Sequence, residues 1–166
     1  MINNLTLVHL LLILAAGSCI YLSLREVRRR YISIWRLFAP AFLALFVGSV
    51  LSLLQLADHQ PPWTFGTALG VGFVIGAIRG MTIGIQHDMY RPRVNLSHAA
   101  KLLLLWTAIV VGATVLVECL GAFLAHPGFA IFQFLAAIVA MLCAGAILGR
   151  ALLLTIRLHR ADRGGA

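Results

Sequence analysis

The residue best suited to carry chemistry in this sequence is Glu118, which lies in the apolar stretch 101–125. A carboxylate inside a membrane span is costly, so an acidic residue in that position is a candidate functional group. Thr107, Val111 and Thr114 precede Glu118 at steps of four, three and four, which puts all four residues on one helix face. We expect this face to meet protein or water, and we expect Glu118 to be the sole acidic residue of the apolar stretches.

Other polar residues are expected at a similar depth to Glu118. They come from the first, second and fifth apolar stretches and are His9, Ser49, Ser52, Gln55 and Gln133. Two interpretations of this group stay open. It is either a set of interhelical hydrogen bonds that fixes the helices, or a site for a proton, a cation or a small ligand. In the second case Glu118 is either protonated or ionised beside a cation, a protonated His or water.

The apolar stretches that must position these residues follow a five-span pattern. They are 3–24, 37–57, 64–86, 101–125 and 128–157. A span needs about 20 apolar residues, so each stretch is long enough. All thirteen Lys and Arg residues lie in, or nearest to, the first connection, the third connection and the C-terminal end. Because Lys and Arg are enriched in cytoplasmic loops, we predict that the N-terminus is outside and the C-terminus is cytoplasmic.

The composition agrees with this prediction. The chain of 166 residues is 61% hydrophobic and 11% charged, whereas soluble domains carry about 25% charged residues. We therefore predict an all-α integral membrane protein with five transmembrane helices in a single domain. The net charge of +8 follows the topology and is expected to meet anionic lipid headgroups on the cytoplasmic side, with no nucleic acid as partner. The compact plan favours a multi-pass protein of the bacterial inner membrane.

A run of glycines marks the third stretch. Gly72, Gly76, Gly80 and Gly84 recur every four residues and share one helix face. A face without side chains lets another backbone approach closely, so we predict a helix-packing seam. Its partner is another span of this chain, a second copy or a different protein, and the first of these is the default. The segment 76–80 also weakly resembles the segment 145–150, and either chance in a Gly/Ala-rich apolar sequence or an internal duplication explains that likeness.

Two arginines lie inside the stretches, near their basic ends. Arg79 and Arg150 are expected to extend toward the headgroups of the inner leaflet. The alternative is a pocket for an anion or a lipid headgroup between the third and fifth spans, to which Arg91 and Arg93 would contribute.

No pattern of an enzyme or a metal site is present in the sequence. The three cysteines form no Cys-x-x-Cys motif and differ in expected depth, so we read them as small packing residues. His9 is the only histidine well inside a stretch, whereas a membrane haem needs two axial ligands at one depth. We therefore predict no catalysis, no metal and no cofactor, with a haem or a quinone kept as an alternative.

The segment 68–82, followed by a short polar loop, resembles small multi-span bacterial proteins of the CcdC-like class. Gly76, Arg79, Gly80 and Thr82 carry the resemblance, although the spacing of Thr82 departs from the pattern of that class. The resemblance implies a multi-span bacterial membrane protein. The loose association of the class with cytochrome c biogenesis implies no specific role for this chain, which has no paired cysteines.

The leading functional prediction is a non-catalytic accessory or assembly subunit. It would pack through the glycine face against other membrane subunits or against itself, as part of a larger complex. The first alternative is a small oligomeric transporter or channel component that uses Glu118 for a proton, a cation or a solute. The second alternative is a redox-linked or quinone-linked membrane subunit that uses His9.

Overall fold

The computed structural model describes residues 7–28, 34–82, 86–88, 91–95, 98–124 and 127–164. Its helices are α1 (Leu7–Arg28), α2 (Ile34–Ala57), α3 (Trp63–Thr82), α4 (His98–Leu124) and α5 (Ala130–Gly164). A 3-10 turn over Pro127–Phe129 leads into α5. Over these described ranges, the prediction of five helices long and apolar enough to cross a membrane is confirmed.

The polar connection between α3 and α4 contains a short β-hairpin that the sequence analysis did not predict. Strand β1 (Gln86–Asp88) pairs antiparallel with β2 (Arg91–Asn95). Gln86 is opposite Asn95 and His87 is opposite Val94, and the register then shifts between His87 and Asp88. The strands are nearly all polar and lack the alternation of apolar residues that signals a half-buried strand, so hydrophobic periodicity does not predict them.

Four of the helices form a ring, and the fifth lies outside it. In the ring, α1 contacts α2, α2 contacts α5, α5 contacts α4, and α4 contacts α1. Helices α2 and α4 also touch across the ring. Helix α3 packs on α5, so α5 is shared between the ring and α3.

Small side chains fill much of the centre of the ring. Alanines at 0% exposure come from three of its helices, namely Ala41, Ala44, Ala108, Ala137, Ala140 and Ala144. Leu12, Val47, Leu51 and Val111 fill the space between them, also at 0% exposure. In lipid, helices gain little from hydrophobic burial against each other, so close packing between small residues is a main source of stability.

The helices run in alternating directions, which gives the molecule two ends. Phe65 near the start of α3 packs edge-on against Phe134 near the start of α5, with 5.9 Å between the ring centres. These two starts lie with the end of α4, at what we call the Glu118 end. The end of α1, the start of α4 and the later part of α5 lie together at the other end, which we call the Arg150 end.

Helix α2 ends at the Glu118 end in a well-formed cap. The amide of His59 donates to the carbonyl of Leu56, and the amide of Gln60 donates to the carbonyl of Gln55. His59 has a φ of 63°, in the left-handed region that a Schellman cap requires. Glycine commonly occupies that position, so His59 adopts a conformation that is costly for its type.

Many large apolar side chains lie on the outer surface. Leu7, Phe42, Leu53, Trp106 and Ile131 are each more than 60% exposed. A soluble protein rarely exposes large continuous apolar patches. Together with the five apolar helices, this surface fits a multi-pass membrane protein.

Candidate functional site: two polar clusters inside the helix ring

The first polar cluster surrounds Glu118, near the end of α4. Glu118 is 5% exposed. The Gln133 side-chain amide, on α5, donates to Glu118 Oε1 at 3.3 Å and to the Glu118 backbone carbonyl at 3.5 Å. Within the described part of the chain, the buried Oε2 has no hydrogen-bond partner. Gln133 thus fixes one oxygen of the Glu118 carboxyl, while the other oxygen is buried and accepts no hydrogen bond from a described residue.

A glycine makes the contact between α4 and α5 possible. A Cβ atom at Gly121 would overlap the side-chain amide of Gln133, and would lie 3.0 Å from its Cγ. Gly121 follows Glu118 by three residues, so both face α5. Because Gly121 has no side chain, the Gln133 side chain can occupy the space beside it and reach Glu118.

The remaining residues predicted for this cluster have different surroundings. On α4, Thr114 is buried at 5%, but its hydroxyl donates to the carbonyl of Val111 in its own helix. The half-buried Thr107 hydroxyl donates to the carbonyls of Leu103 and Leu104. Such bonds satisfy the hydroxyl without reaching another helix.

The predicted residues of α1 and α2 lie partly inside the ring. His9, Ser52 and Gln55 are buried at 7%, 5% and 4%, and Ser49 is half-buried. The Ser52 hydroxyl donates to the carbonyl of Gly48 in its own helix. The exposed Asp58, just past α2, lies within electrostatic range of Glu118.

The second polar cluster lies at the Arg150 end and corrects the sequence analysis. Glu118 is not the sole acidic residue of the spans, because α1 continues to Arg28 and includes Glu26 at 8% exposure. Glu26 Oε1 lies 3.5 Å from Arg150 Nη2, and both side chains are 6% exposed. The expectation that Arg150 extends to the headgroups at the surface is therefore wrong. Arg150 faces α1 instead.

Lys101, at the start of α4, belongs to the same cluster. It is 7% exposed and lies within electrostatic range of Glu26. One carboxylate thus faces two cationic side chains. Three buried atoms of the ion pair lack hydrogen-bond partners among the described residues, namely Glu26 Oε1, Arg150 Nε and Arg150 Nη2.

The sequence contains one signal for the burial of Glu26, which is the periodicity of the buried face of α1. The buried face of α1 runs through Leu12, Ala16, Cys19, Ser23 and Glu26, at steps of four, three, four and three. Helical periodicity of this kind continues into the basic run that begins at Arg25. Extension of this face by one turn beyond residue 24 predicts that Glu26 is buried with it.

The glycine face of α3 lies against α5 of the same chain. A Cβ at Gly72 would overlap the backbone of Leu142, and one at Gly76 would overlap the backbone of Ala146. From the other side, a Cβ at Gly145 would meet the backbone of Leu69, and one at Gly149 would meet that of Phe73. We call these four glycines the α3–α5 seam.

The other two glycines of the predicted face differ from these. A Cβ at Gly80 would lie 3.2 Å from the Leu153 Cβ, so a side chain rather than backbone is its nearest neighbour. Gly84 lies outside the described residues. The seam therefore loosens toward the end of α3, as expected for a four-residue spacing that drifts around the helix.

The two described arginines of the predicted anion pocket, Arg79 and Arg150, do not meet between α3 and α5, since Arg150 faces Glu26 of α1. Arg79 is exposed, and Arg91 and Arg93 lie in β2, where their side chains are outside the described part. Arg157 instead reaches α3 from α5, and its Nη1 donates to the carbonyls of Gly80 and Met81 at 2.9 and 3.0 Å. These carbonyls end a helix, where a cation is favourable.

Among the described residues, the cysteines and histidines form no third cluster. All three cysteines are free, and the Cys19 thiol donates to the carbonyl of Pro40 at 3.6 Å. Within the described ranges, no group of three His, Cys, Asp or Glu side chains is arranged to hold a metal ion.

No protein-family model matches this chain, and no curated protein or solved structure matches it either. The chemistry of the two polar clusters is therefore the basis for an inference about function.

Proposed function

We propose that this chain is a small multi-pass membrane protein that binds and passes a proton or a cation at Glu118. Intramembrane carboxylates are rare because they are costly, and they commonly mark ion paths and proton relays. The observation that carries the proposal is the Glu118 carboxyl itself. It is 5% exposed and held by Gln133 through Oε1, while the buried Oε2 has no partner among the described groups. A proton, a cation or a water molecule would complete it.

The charges near the Glu118 end favour a cationic ligand. Asp58 adds a second carboxylate within electrostatic range of Glu118. The connection 58–63 after α2 and the connection 125–128 after α4 contain no Lys or Arg. A cleft lined by one sign of charge raises the local concentration of the opposite ion.

The proposal includes an orientation. Among the described residues, the basic ones are concentrated toward the Arg150 end, which we assign to the cytoplasm by the bias of Lys and Arg. The N-terminus and the Glu118 end then face the outside, in the inner membrane of a bacterium. Five spans are few for a transporter, so the proposal also needs a homo-oligomer.

An accessory or assembly subunit is the second candidate function. Gly72 and Gly76, the part of the glycine face that favours this function, are covered by α5, so a partner would need another surface. One such surface is an apolar groove of about 350 Å³ between α1 and α2, lined by Val8, Leu11, Leu12, Phe46, Val50, Leu53, Leu54 and Ala57. On extraction from the native membrane, a subunit of this kind would co-purify with other chains. Val50→Trp, which puts a larger side chain in the groove, would abolish that co-purification.

Flux into vesicles tests the main proposal. The purified chain is reconstituted into liposomes that hold a pH-sensitive or cation-sensitive dye, and a gradient of H⁺, Na⁺ or K⁺ is applied. We expect Glu118→Gln to abolish flux while the particle keeps its size, because Gln can still bond to Gln133. Thr155→Val is the matched control, because the Thr155 hydroxyl donates only to the Ala151 carbonyl of its own helix.

Two results would refute the proposal. The first is an ion flux into vesicles with the wild-type chain that is no faster than the flux into empty vesicles, for each of the three ions. The second is an equal flux for the wild type and Glu118→Gln. Co-purification of other chains together with an absence of flux would favour the accessory subunit.

A further inference from the structure

The Arg150 end has a feature that ion passage at Glu118 does not use. Arg150 is 5% exposed, and its Nε and Nη2 are both without a hydrogen-bond partner among the described residues. These two nitrogens lie on the same edge of the guanidinium. That edge is the one that binds two oxygens of a carboxylate or a phosphate at once.

Glu26 does not fill this edge. Its Oε1 lies 3.5 Å from Arg150 Nη2 but makes no hydrogen bond to it. A buried guanidinium usually has its donors satisfied, because a donor left unpaired away from water is costly. The unfilled edge therefore points to a further acceptor group on Arg150, beside Glu26.

The charge of the cluster indicates the sign of that group. Glu26 brings one negative charge, whereas Arg150 and Lys101 bring two positive charges, and all three side chains are buried. Cationic side chains that line a buried site favour an anion as its ligand. The exposed Arg25 and Arg28, in the last turn of α1, would attract anions toward the same end.

We propose that a phosphate-type oxyanion binds between α1, α4 and α5, with two oxygens on Nε and Nη2 of Arg150 and Lys101 supplying additional charge. This site differs in place from the pocket expected between the third and fifth spans, because Arg79 is exposed and Arg150 faces α1. The phosphate belongs either to a free anion or to the headgroup of a lipid. The site is independent of ion passage at Glu118.

The test uses the full chain purified in a maltoside detergent, which contains no phosphate. Inorganic phosphate is titrated at constant ionic strength, and thermal unfolding is followed. We expect a saturable rise in the unfolding temperature. Arg150→Lys keeps the charge but loses the two-nitrogen edge, so its apparent affinity falls by about tenfold. Arg28→Lys, an exposed change at the same end, leaves the affinity as in wild type.

Glu26→Gln provides a test that does not depend on the folding of an Arg150 variant. It removes the anion beside Arg150 and keeps the guanidinium, so phosphate is expected to bind more tightly and to restore the stability lost in phosphate-free buffer. Glu26 acting only as a structural partner of Arg150 would give a destabilised variant that phosphate does not rescue, which would overturn the proposal.

A lipid arm separates the two sources of phosphate. Mixed micelles with phosphatidylglycerol are compared with a neutral glycolipid of the same acyl chains, in wild type and in Arg150→Lys. A stabilisation by phosphatidylglycerol that needs Arg150, without an effect of inorganic phosphate, assigns a lipid headgroup. An effect of inorganic phosphate alone assigns a free anion. No response to either, or responses that Arg150→Lys leaves unchanged, would show that the site does not exist.

Discussion

The α3–α5 seam and the four-helix ring hold their helices together in different ways. At the seam, four glycines have no side chains, and this absence lets the backbones of α3 and α5 come into contact. In the ring, α1, α4 and α5 also share polar groups, with the buried Glu26 and Arg150 at one end, and the buried Glu118 and the half-buried Gln133 at the other. The seam is therefore sensitive to added volume, whereas the ring is sensitive to changes in charge and hydrogen bonding. Helix α3 packs on the outside of the ring, and both polar clusters lie in the ring.

The largest effect is expected from breaking the ion pair of the ring. Arg150→Met leaves Glu26 buried beside α5 without its partner, and breaking a buried pair costs about 3–5 kcal/mol. The double variant Glu26→Met with Arg150→Met should regain a large part of this loss. A double-mutant cycle on unfolding in detergent measures both. Additive losses would show that the two side chains do not interact.

The seam should respond to a single methyl group. Gly76→Ala places a Cβ against the backbone of Ala146, and overpacking costs about 1–3 kcal/mol. Gly70→Ala is the matched control in the same helix, because nothing lies within 4 Å of its Cβ. We expect the control to be neutral or stabilising by up to about 1 kcal/mol, since Ala favours helix over Gly. Equal effects at both positions, measured by thermal unfolding, would contradict close contact at the seam.

A smaller effect is expected from moving Gln133 without touching Glu118. Gly121→Ala fills the space that Gln133 uses, so the bond to Glu118 is lost at a cost of about 1 kcal/mol. The same change should slow ion flux in vesicles, because Glu118 loses the contact that orients it. Gly17→Ala, with nothing within 4 Å, is the control for a Gly-to-Ala change in the ring. Unchanged flux in Gly121→Ala would separate Gln133 from function.

The cap that joins α5 to the end of α3 should matter less still. Arg157→Met removes the donor to the carbonyls of Gly80 and Met81, at a cost of about 0.3–1 kcal/mol. Faster hydrogen exchange at the end of α3, with α1 unchanged, is the expected observation. Exchange that is unaltered at both helices would show that the cap contributes nothing.

The smallest expected change is a gain in stability outside both regions. His59 has a φ of 63°, which glycine adopts without the steric cost of a side chain. His59→Gly should raise the free energy of unfolding by at most about 1 kcal/mol. A loss of stability would mean that the imidazole makes contacts worth more than this strain.

Hydropathy predicted the five helices because a span leaves a long, uninterrupted apolar signal. The ends of helices carry weaker signals. Helix α1 runs to Arg28 and α5 to Gly164, beyond the predicted ends at 24 and 157, because charged residues prolong a helix without adding hydropathy. The β-hairpin gave no signal at all, since backbone pairing in polar strands needs no apolar alternation.

The polar clusters show where sequence reasoning stops. The face of Glu118 on α4 follows from spacing, but its contact with Gln133 depends on how α4 and α5 pack. Glu26 was missed because its neighbours in sequence are basic, although the spacing of the buried α1 face leads to it. The likeness of 76–80 to 145–150 is compatible with chance or with a duplication. In the structure, Gly76 and the pair Gly145 and Gly149 lie on the two facing sides of one seam, so close packing requires glycine in both segments.

The central claim is that Glu118 exchanges a proton or a cation, and infrared difference spectroscopy tests it most directly. The chain, reconstituted in lipid and labelled with isotopic glutamate, is cycled between two pH values and between buffers with and without Na⁺ or K⁺. We predict a reversible carboxyl or carboxylate band that is absent from Glu118→Gln and present in Glu26→Gln. A spectrum in which Glu118 shows no change with pH or with either cation would contradict the account and leave Glu118 as a structural hydrogen bond to Gln133.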